Sequence, residues 1–474
     1  MSSPNISFDS IPGSIRKPGK YFELNTSLAV RTLPGNAQKM LIVGQRIAAG
    51  SVAALVATQV FSESEAAAYF GAGSLCHLLA RAAIRANPYL QLSVIALDDA
   101  TDGAAARVHT LTLATNASSA GLLTLYIGTT RFQVAIASAD TPTIIATALK
   151  AALDNDPNLP FTVAQSEGVL TFTAHNKGTV ANQVDFSCTI TASGTTASFT
   201  ATTPGAVDPT LATALAAVYA EHYNIIASPY IDDTSYGALK THLASVSGPL
   251  EQRAAIGVIA DDDALGTVTT LTAAINSERI TCGFLRGTRT PAYEMAAIYA
   301  AVLASEEDPA RPLNTLALPG IAAPPIAQRL SRTEQESCLA NGATPFEVGP
   351  GEVVQIVRAI STYVQNAQGI DDPALLDITT IRTLDYVRKA CRERIALRFP
   401  RSKLSARTPD MVRDQLLDVL YRLEELEIVE EVAANEESLI VERDSQDANR
   451  LNARIPSDVV NGLHVFAGRI DLLL

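Results

Sequence analysis

Ala255-Ile-Gly-Val-Ile-Ala260 and Ile280-Thr-Cys-Gly-Phe-Leu285 are almost unbroken apolar runs, and the residues between them, about 264–277, carry a helical pattern. A strand that is apolar at nearly every position is buried on both faces, and two such strands joined through a helix imply a parallel pair with the helix crossing over it. The alternation extends both ways. Ile225-Ile-Ala-Ser228 precedes a helical stretch at about 233–246, and another lies at about 291–306. Upstream, Met40-Leu-Ile-Val-Gly44, a helix near 63–86 with Ala67, Phe70, Leu78 and Leu79 at helical spacing, and Leu92-Ser-Val-Ile-Ala-Leu97 repeat the unit. Residues 31–100 and 207–370 are therefore expected to form an α/β core, a largely parallel sheet covered on both faces.

Residues 101–206 read differently. His109-Thr-Leu-Thr-Leu113, Leu123-Thr-Leu-Tyr-Ile127, Arg131-Phe-Gln-Val-Ala-Ile136, Leu170-Thr-Phe-Thr-Ala174 and Ser198-Phe-Thr-Ala-Thr202 alternate with period two, and one helix, at about 142–154, interrupts them. Such alternation marks half-buried antiparallel strands, so a β-rich domain is expected to be inserted in the α/β core. A proline-rich connection follows (Pro309, Pro312, Pro319, Pro324, Pro325), then Ser331-Arg-Thr-Glu334, which fits a capping box, then strand signals through Glu352-Val-Val-Gln-Ile-Val357. Residues 371–461 form a further expected domain: helices at about 378–398 and 409–426, the second with Thr408 as cap and Pro409 in its first turn, then strands. The fold class is thus α/β and α+β multidomain.

Composition limits the function. The 474 residues are 47% hydrophobic, enough for about three domains, and the net charge of −13 opposes a general nucleic-acid binder, which needs a basic footprint. Cysteines 76, 188, 282, 338 and 391 lie far apart and form no Cys-x-x-Cys pair, as expected of buried thiols in a reducing compartment. The opening MSSPNISFDS lacks the regions of a signal peptide, and the longest uncharged apolar stretch, 47–61, is too short and polar to span a bilayer. Synthesis and folding in the cytoplasm, without stable membrane insertion, are the expectation.

Catalytic motifs are scarce. Gly13-Ser-Ile-Arg-Lys-Pro-Gly19-Lys20 departs from a phosphate loop in glycine spacing, and Tyr21 stands where Ser or Thr would hold magnesium. Gly71-Ala-Gly73-Ser74 lacks the third glycine of a dinucleotide fingerprint and reads as a packing or kink site. The candidates that remain are acidic: Asp98-Asp99, Asp232-Asp233 and Asp261-Asp262-Asp263, each just after a strand. Ligands of open α/β sheets bind there, so a metal-dependent α/β hydrolase is one reading. The other is that aspartates cap the following helices, with Asp233 and Asp263 best placed. Catalytic residues, cofactors and metals are each expected to be none.

Both ends look built for another chain. Residues 1–30 are held extended by prolines at 4, 12 and 18, and residues 462–474, Gly-Leu-His-Val-Phe-Ala-Gly-Arg-Ile-Asp-Leu-Leu-Leu, form an apolar strand-like tail. Such a tail must be covered by its own core or by pairing with an open sheet edge on a neighbour. Ile6 and Phe8 in one arm, and Val465, Phe466, Ile470 and Leu472 in the other, are the candidate contacts between subunits. From Tyr386 to Thr408 eight basic residues oppose the single acid Glu393, which marks either a solvated helix face or a seat for an acidic partner.

Several stretches together resemble the tail sheath proteins of Mu-like contractile bacteriophages. They are 222–230 (His-Tyr-Asn-Ile-Ile-Ala-Ser-Pro-Tyr), 309–325, 350–363, Ile6-Ser-Phe-Asp-Ser-Ile-Pro-Gly13 with Arg31, and Asn449-Arg-Leu-Asn-Ala-Arg-Ile-Pro-Ser-Asp-Val-Val460. The resemblance covers nearly the whole chain except the 101–206 insert. It implies a virion protein that polymerises with itself in a helix around a tail tube protein, bounded by baseplate and tail terminator proteins, with no direct contact to nucleic acid. Arms would add strands to a neighbour's sheet, and contraction would drive the tube through the host envelope. Arg388, Lys389, Arg392, Arg394 and Arg398 would then face the tube. The sheath of a phage-tail bacteriocin would read alike, whereas that of a secretion system works on the same mechanical principle but is usually split between two chains.

Overall fold

In the computed structural model the described residues are 17–20, 22, 33 and 35–473. By internal contacts they fall into two compact units: residues 36–386 with 458–474, and residues 387–457 with those up to Gly35.

The larger unit begins with β1 (Lys39–Gln45), β2 (Thr58–Gln59), α1 (Glu63–Phe70), α2 (Leu75–Ala86) and β3 (Gln91–Leu97). The stretch read as one helix is broken at Gly71 and Gly73, whose φ angles of 91° and 75° suit glycine, and Ser74 restarts it by accepting a hydrogen bond from His77 N. After the insert come α4 (Leu211–Ala217), β11 (Ile225–Ala227), α5 (Asp233–Val246), β12 (Ile256–Asp261), α6 (Leu265–Ile275), β13 (Ile280–Phe284) and α7 (Ala292–Ser305). They are followed by α8 (Arg332–Ala340), β14 (Thr344–Val348) and β15 (Val354–Ile356). Eight strands form one sheet in the order β15-β14-β13-β12-β11-β1-β3-β2. Pairs from β14 to β3 are parallel, and the edge pairs β14–β15 and β2–β3 are antiparallel.

Met40 to Val43 in β1 are fully buried, and every residue from Ala292 to Ala304 in α7 is buried except Glu294, which is half-buried. A helix buried all round must be slim, and the alanines of Ala-Tyr-Glu-Met-Ala-Ala-Ile-Tyr-Ala-Ala-Val-Leu-Ala supply that. Its one carboxylate, Glu294, meets Arg81 of α2 at 3.2 Å.

The residues between β3 and α4 form β4 (Ala106–Ala114), β5 (Gly121–Ile127), β6 (Thr130–Ile136), α3 (Pro142–Asp154), β7 (Phe161–Ser166), β8 (Val169–Lys177), β9 (Phe186–Ile190) and β10 (Thr196–Thr203). They make two antiparallel sheets, β10-β4-β8-β7 and β6-β5-β9.

The capping box at Ser331 and Glu334 is present. Two expected caps move by one residue. Asp232 rather than Asp233 caps α5, accepting from Ser235 N at 3.0 Å, and Ala264 rather than Asp263 precedes α6 without a side-chain cap. The division between units falls inside α9 (Ile378–Arg398), and α10 (Thr408–Glu425) follows. Thr408 is the first residue of α10 rather than its cap; its hydroxyl donates back to Lys403 O at 2.9 Å. Ile440–Arg443 and Leu451–Arg454 then pair as a two-stranded antiparallel ribbon. Residues 461–473 form no strand, because strand geometry needs a ladder partner and none lies alongside among the described residues.

Candidate functional site

The chain order reverses at β1, between β3 on one side and β11 on the other, so the carboxyl ends of β1, β3, β11 and β12 mark the ligand crevice of an open α/β sheet. Of the aspartates that a hydrolase would use, Asp98 and Asp99 stand here and are occupied, as is the nearby Asp208. Asp99 accepts from Gln45 Nε2 at 2.6 Å, from Asn176 Nδ2 at 3.0 Å and from Lys177 N at 3.0 Å. Asp98 pairs with Arg46 at 2.7 Å. Asp208 takes the Thr179 amide at 2.7 Å and also the Thr179 hydroxyl. The donors Asn176, Lys177 and Thr179 all come from the end of β8, so the insert plugs the crevice from which it springs. What space remains among Gln45, Gly73, Leu75, Asn176 and Tyr293 is about 30 Å³, room for a water molecule or two.

The acid triplet after β12 is the electrostatically unusual point. Burial, the neighbouring Asp261 and the more distant Asp185 push the Asp262 carboxyl up to about 7. Asp261 is also raised by burial, and it accepts from Asp263 N at 3.0 Å. Among the described residues no group of three or more His, Cys, Asp or Glu could hold a metal ion.

The tail is divided. Val465, Phe466, Ile470 and Leu472 are 79%, 87%, 98% and 82% exposed, whereas Gly462 and His464 are half-buried. His464 lies 2.9 Å from Asn314 Nδ2 through Nδ1, and its Nε2 lies 3.6 Å from Asp377 Oδ1. Arg358 grips the same Asp377 through Nε at 2.8 Å and Nη2 at 2.7 Å. Burial and the Arg358 charge hold the imidazole below its ordinary pKa against the pull of Asp377. Sequence reasoning assigned no role to His464, Asn314, Arg358 or Asp377. The one signal available was a lone polar ring in an apolar tail. Ile6 and Phe8 lie outside the described residues.

The basic stretch is dispersed. Lys389 donates to Gly35 O at 2.6 Å, Arg388 and Arg398 are half-buried, and Arg392 is exposed. Arg394 corrects the expectation. It is buried in a 2.6 Å ion pair with Asp418 of α10, so its charge is neutralised inside its own unit and cannot face a tube.

The strand ends of the sheet are thus plugged by its own insert, and an apolar segment stands exposed beyond His464. Comparison with known proteins places the chain in a family of structural proteins. Residues 200–362 match the family described as phage tail sheath protein central domain, and residues 371–472 match the phage tail sheath C-terminal domain. The Mu-like prophage FluMu tail sheath protein of Haemophilus influenzae is 31% identical over 99% of this chain and 100% of its own length. The sheath tail protein of Desulfitobacterium hafniense matches with a TM-score of 0.54 at 14% identity, over 94% of this chain and 97% of that one. That of Listeria innocua matches at 0.52 and 15%, over 92% and 94%. The chain belongs to the phage tail sheath family. Among the described residues no helix is long and apolar enough to cross a membrane.

Proposed function

We propose that this chain is the repeating subunit of a contractile phage tail sheath, which polymerises helically around the tail tube and contracts to drive the tube through the host envelope. The observation that carries the reading, beside family membership, is the exposed apolar run from Val465 to Leu473, which none of the described residues of its own subunit covers. Paired with a sheet edge of a second copy, it would satisfy its backbone and bury its side chains. The ribbon Ile440–Arg443 with Leu451–Arg454 is a two-stranded element of the kind that gains most from a third strand. Residues 1–30, with Ile6 and Phe8, would link to another neighbour, and the insert 101–206 would stand on the outer surface, clear of the lattice.

Baseplate and tail terminator proteins would bound the polymer, and the inner surface would meet the tube through screened charge. Arg388, Lys389, Arg392 and Arg398 remain the residues for that contact, without Arg394. Negative-stain microscopy of the purified protein tests the reading: hollow tubes are expected, and a persistently monomeric, folded sample at high concentration would overturn it. Arg392→Glu with Arg398→Glu should weaken co-sedimentation with tail tubes severalfold at low salt while circular dichroism stays unchanged. Equal co-sedimentation would remove the tube contact from these residues.

A further inference from the structure

The tail is held at one point and free beyond it. From Asn461 to His464 exposure alternates, with Gly462 and His464 half-buried and Asn461 and Leu463 exposed, and from Val465 every described residue to Leu473 is exposed. The change falls at His464, whose ring is engaged from both sides by Asn314 and Asp377. Asn314 lies in the loop that bonds to β15, through Thr315 N to Ile356 O at 2.8 Å, and Arg358 follows the same strand. The clamp therefore sits on the edge of the eight-stranded sheet, with Arg358 holding Asp377 in place for the imidazole. Gly462 fits the same seat: a Cβ there would lie 2.7 Å from Pro312 Cγ and 2.9 Å from His464 Nε2, so the chain passes between proline and imidazole only without a side chain. A segment that merely frayed into water would have no reason for such a fit.

We propose that His464 is a positioning residue, the clamp at which the C-terminal arm leaves its own subunit, so that only residues from Val465 onward are given to a second copy of this chain. The inference rests on the arm reading above and adds where the arm begins. A fixed exit shortens the free segment and sets its direction, which lowers the ordering cost of pairing with the neighbour. Nine described residues from 465 to 473 extend roughly 30 Å, enough to cross to an adjacent subunit. During contraction the clamp would keep the pull on the arm within the sheet edge.

The test uses the full chain assembled into tubes. Asn314→Cys with His464→Cys, treated with a short bismaleimide, should give a cross-link within one subunit, seen by peptide mass mapping and a monomeric band on denaturing gels. A ladder of covalent oligomers would show that His464 sits on a neighbour, and the absence of any cross-link would show that the two positions are not apposed; either overturns the clamp. Each single cysteine variant, with the five native cysteines, controls for other thiols. In parallel, His464→Ala should raise the critical concentration for assembly about tenfold with melting temperature unchanged, and His464→Gln, which can still bond Asn314, should recover most of it. An unchanged critical concentration would also overturn the clamp. Assembly that survives removal of everything after His464 would instead overturn the arm reading itself.

Discussion

A carboxylate with a pKa near 7 makes this fold sensitive to pH at one residue. Asp262 is raised from 3.8 to about 7, first by burial and then by Asp261 and Asp185. The folded state therefore holds this proton more tightly than the unfolded chain does. Its contribution to stability is full below about pH 3.8 and is lost as pH rises through 7. Asp262→Asn cannot ionise and should escape that loss. Its melting temperature relative to the parent should rise by about 2–4 °C between pH 5 and pH 8, the equivalent of roughly 2–3 kcal/mol. Parallel melting curves at both pH values would show that Asp262 is solvated in the fold. The acidic runs were legible from sequence because charge is conspicuous after an apolar strand, and their part in capping was right in kind at Asp232. The His464 clamp was not legible, because its partners at 314, 358 and 377 are brought together only by folding.

At the scale of elements, patterns whose period is enforced by burial read best. β1, β12, β13 and α3 stand where the apolar runs put them, since a strand buried on both faces is apolar at nearly every position. β7 and β9 carried weaker signals: Phe161-Thr-Val-Ala-Gln-Ser and Phe186-Ser-Cys-Thr-Ile set small or polar residues at positions that only tertiary packing half-buries. The break between α1 and α2 was legible as a packing or kink site at the glycine pair, but its partner in the insert was not. A Cβ on Gly73 would lie 2.2 Å from Leu159 O, a backbone atom of the insert, and its φ of 75° adds strain for any other residue. Gly73→Ala should thus push the insert off the core and cost more than about 1 kcal/mol. Limited proteolysis should show faster release of a fragment spanning the insert, together with a lower melting temperature. An alanine variant as resistant as the parent would mean that the joint adjusts by moving the loop at residues 156–160.

For the whole molecule the question is what holds one subunit to the next, and magnitudes give side chains and backbone comparable shares. An arm of nine residues added to a sheet edge makes about eight to ten ladder hydrogen bonds, two from each residue that faces the edge, each worth about 0.5–1.5 kcal/mol net. Burying Val465, Phe466, Ile470, Leu472 and Leu473 at about 1.5–3 kcal/mol each adds a similar total, as an upper bound. Two subunits meeting in solution lose about 4–15 kcal/mol in freedom of motion, and ordering the arm costs a further ~1–2 kcal/mol per residue, so one arm is marginal for a dimer. A lattice in which each subunit both gives and receives arms spreads that cost over several contacts, and assembly should be cooperative with a sharp critical concentration. Removing everything after His464 should therefore abolish tubes while leaving circular dichroism and melting temperature unchanged, because from Val465 to Leu473 the arm buries nothing in its own core. Phe466→Ser with Ile470→Ser should come close to the same loss, whereas proline at either position should act only if that amide donates to the neighbour's ladder. Light scattering against protein concentration, followed by microscopy, reads all of these variants. A truncated chain that melts lower would place the arm in its own core, and serine variants that polymerise like the parent would leave the cohesion to the backbone and to other surfaces.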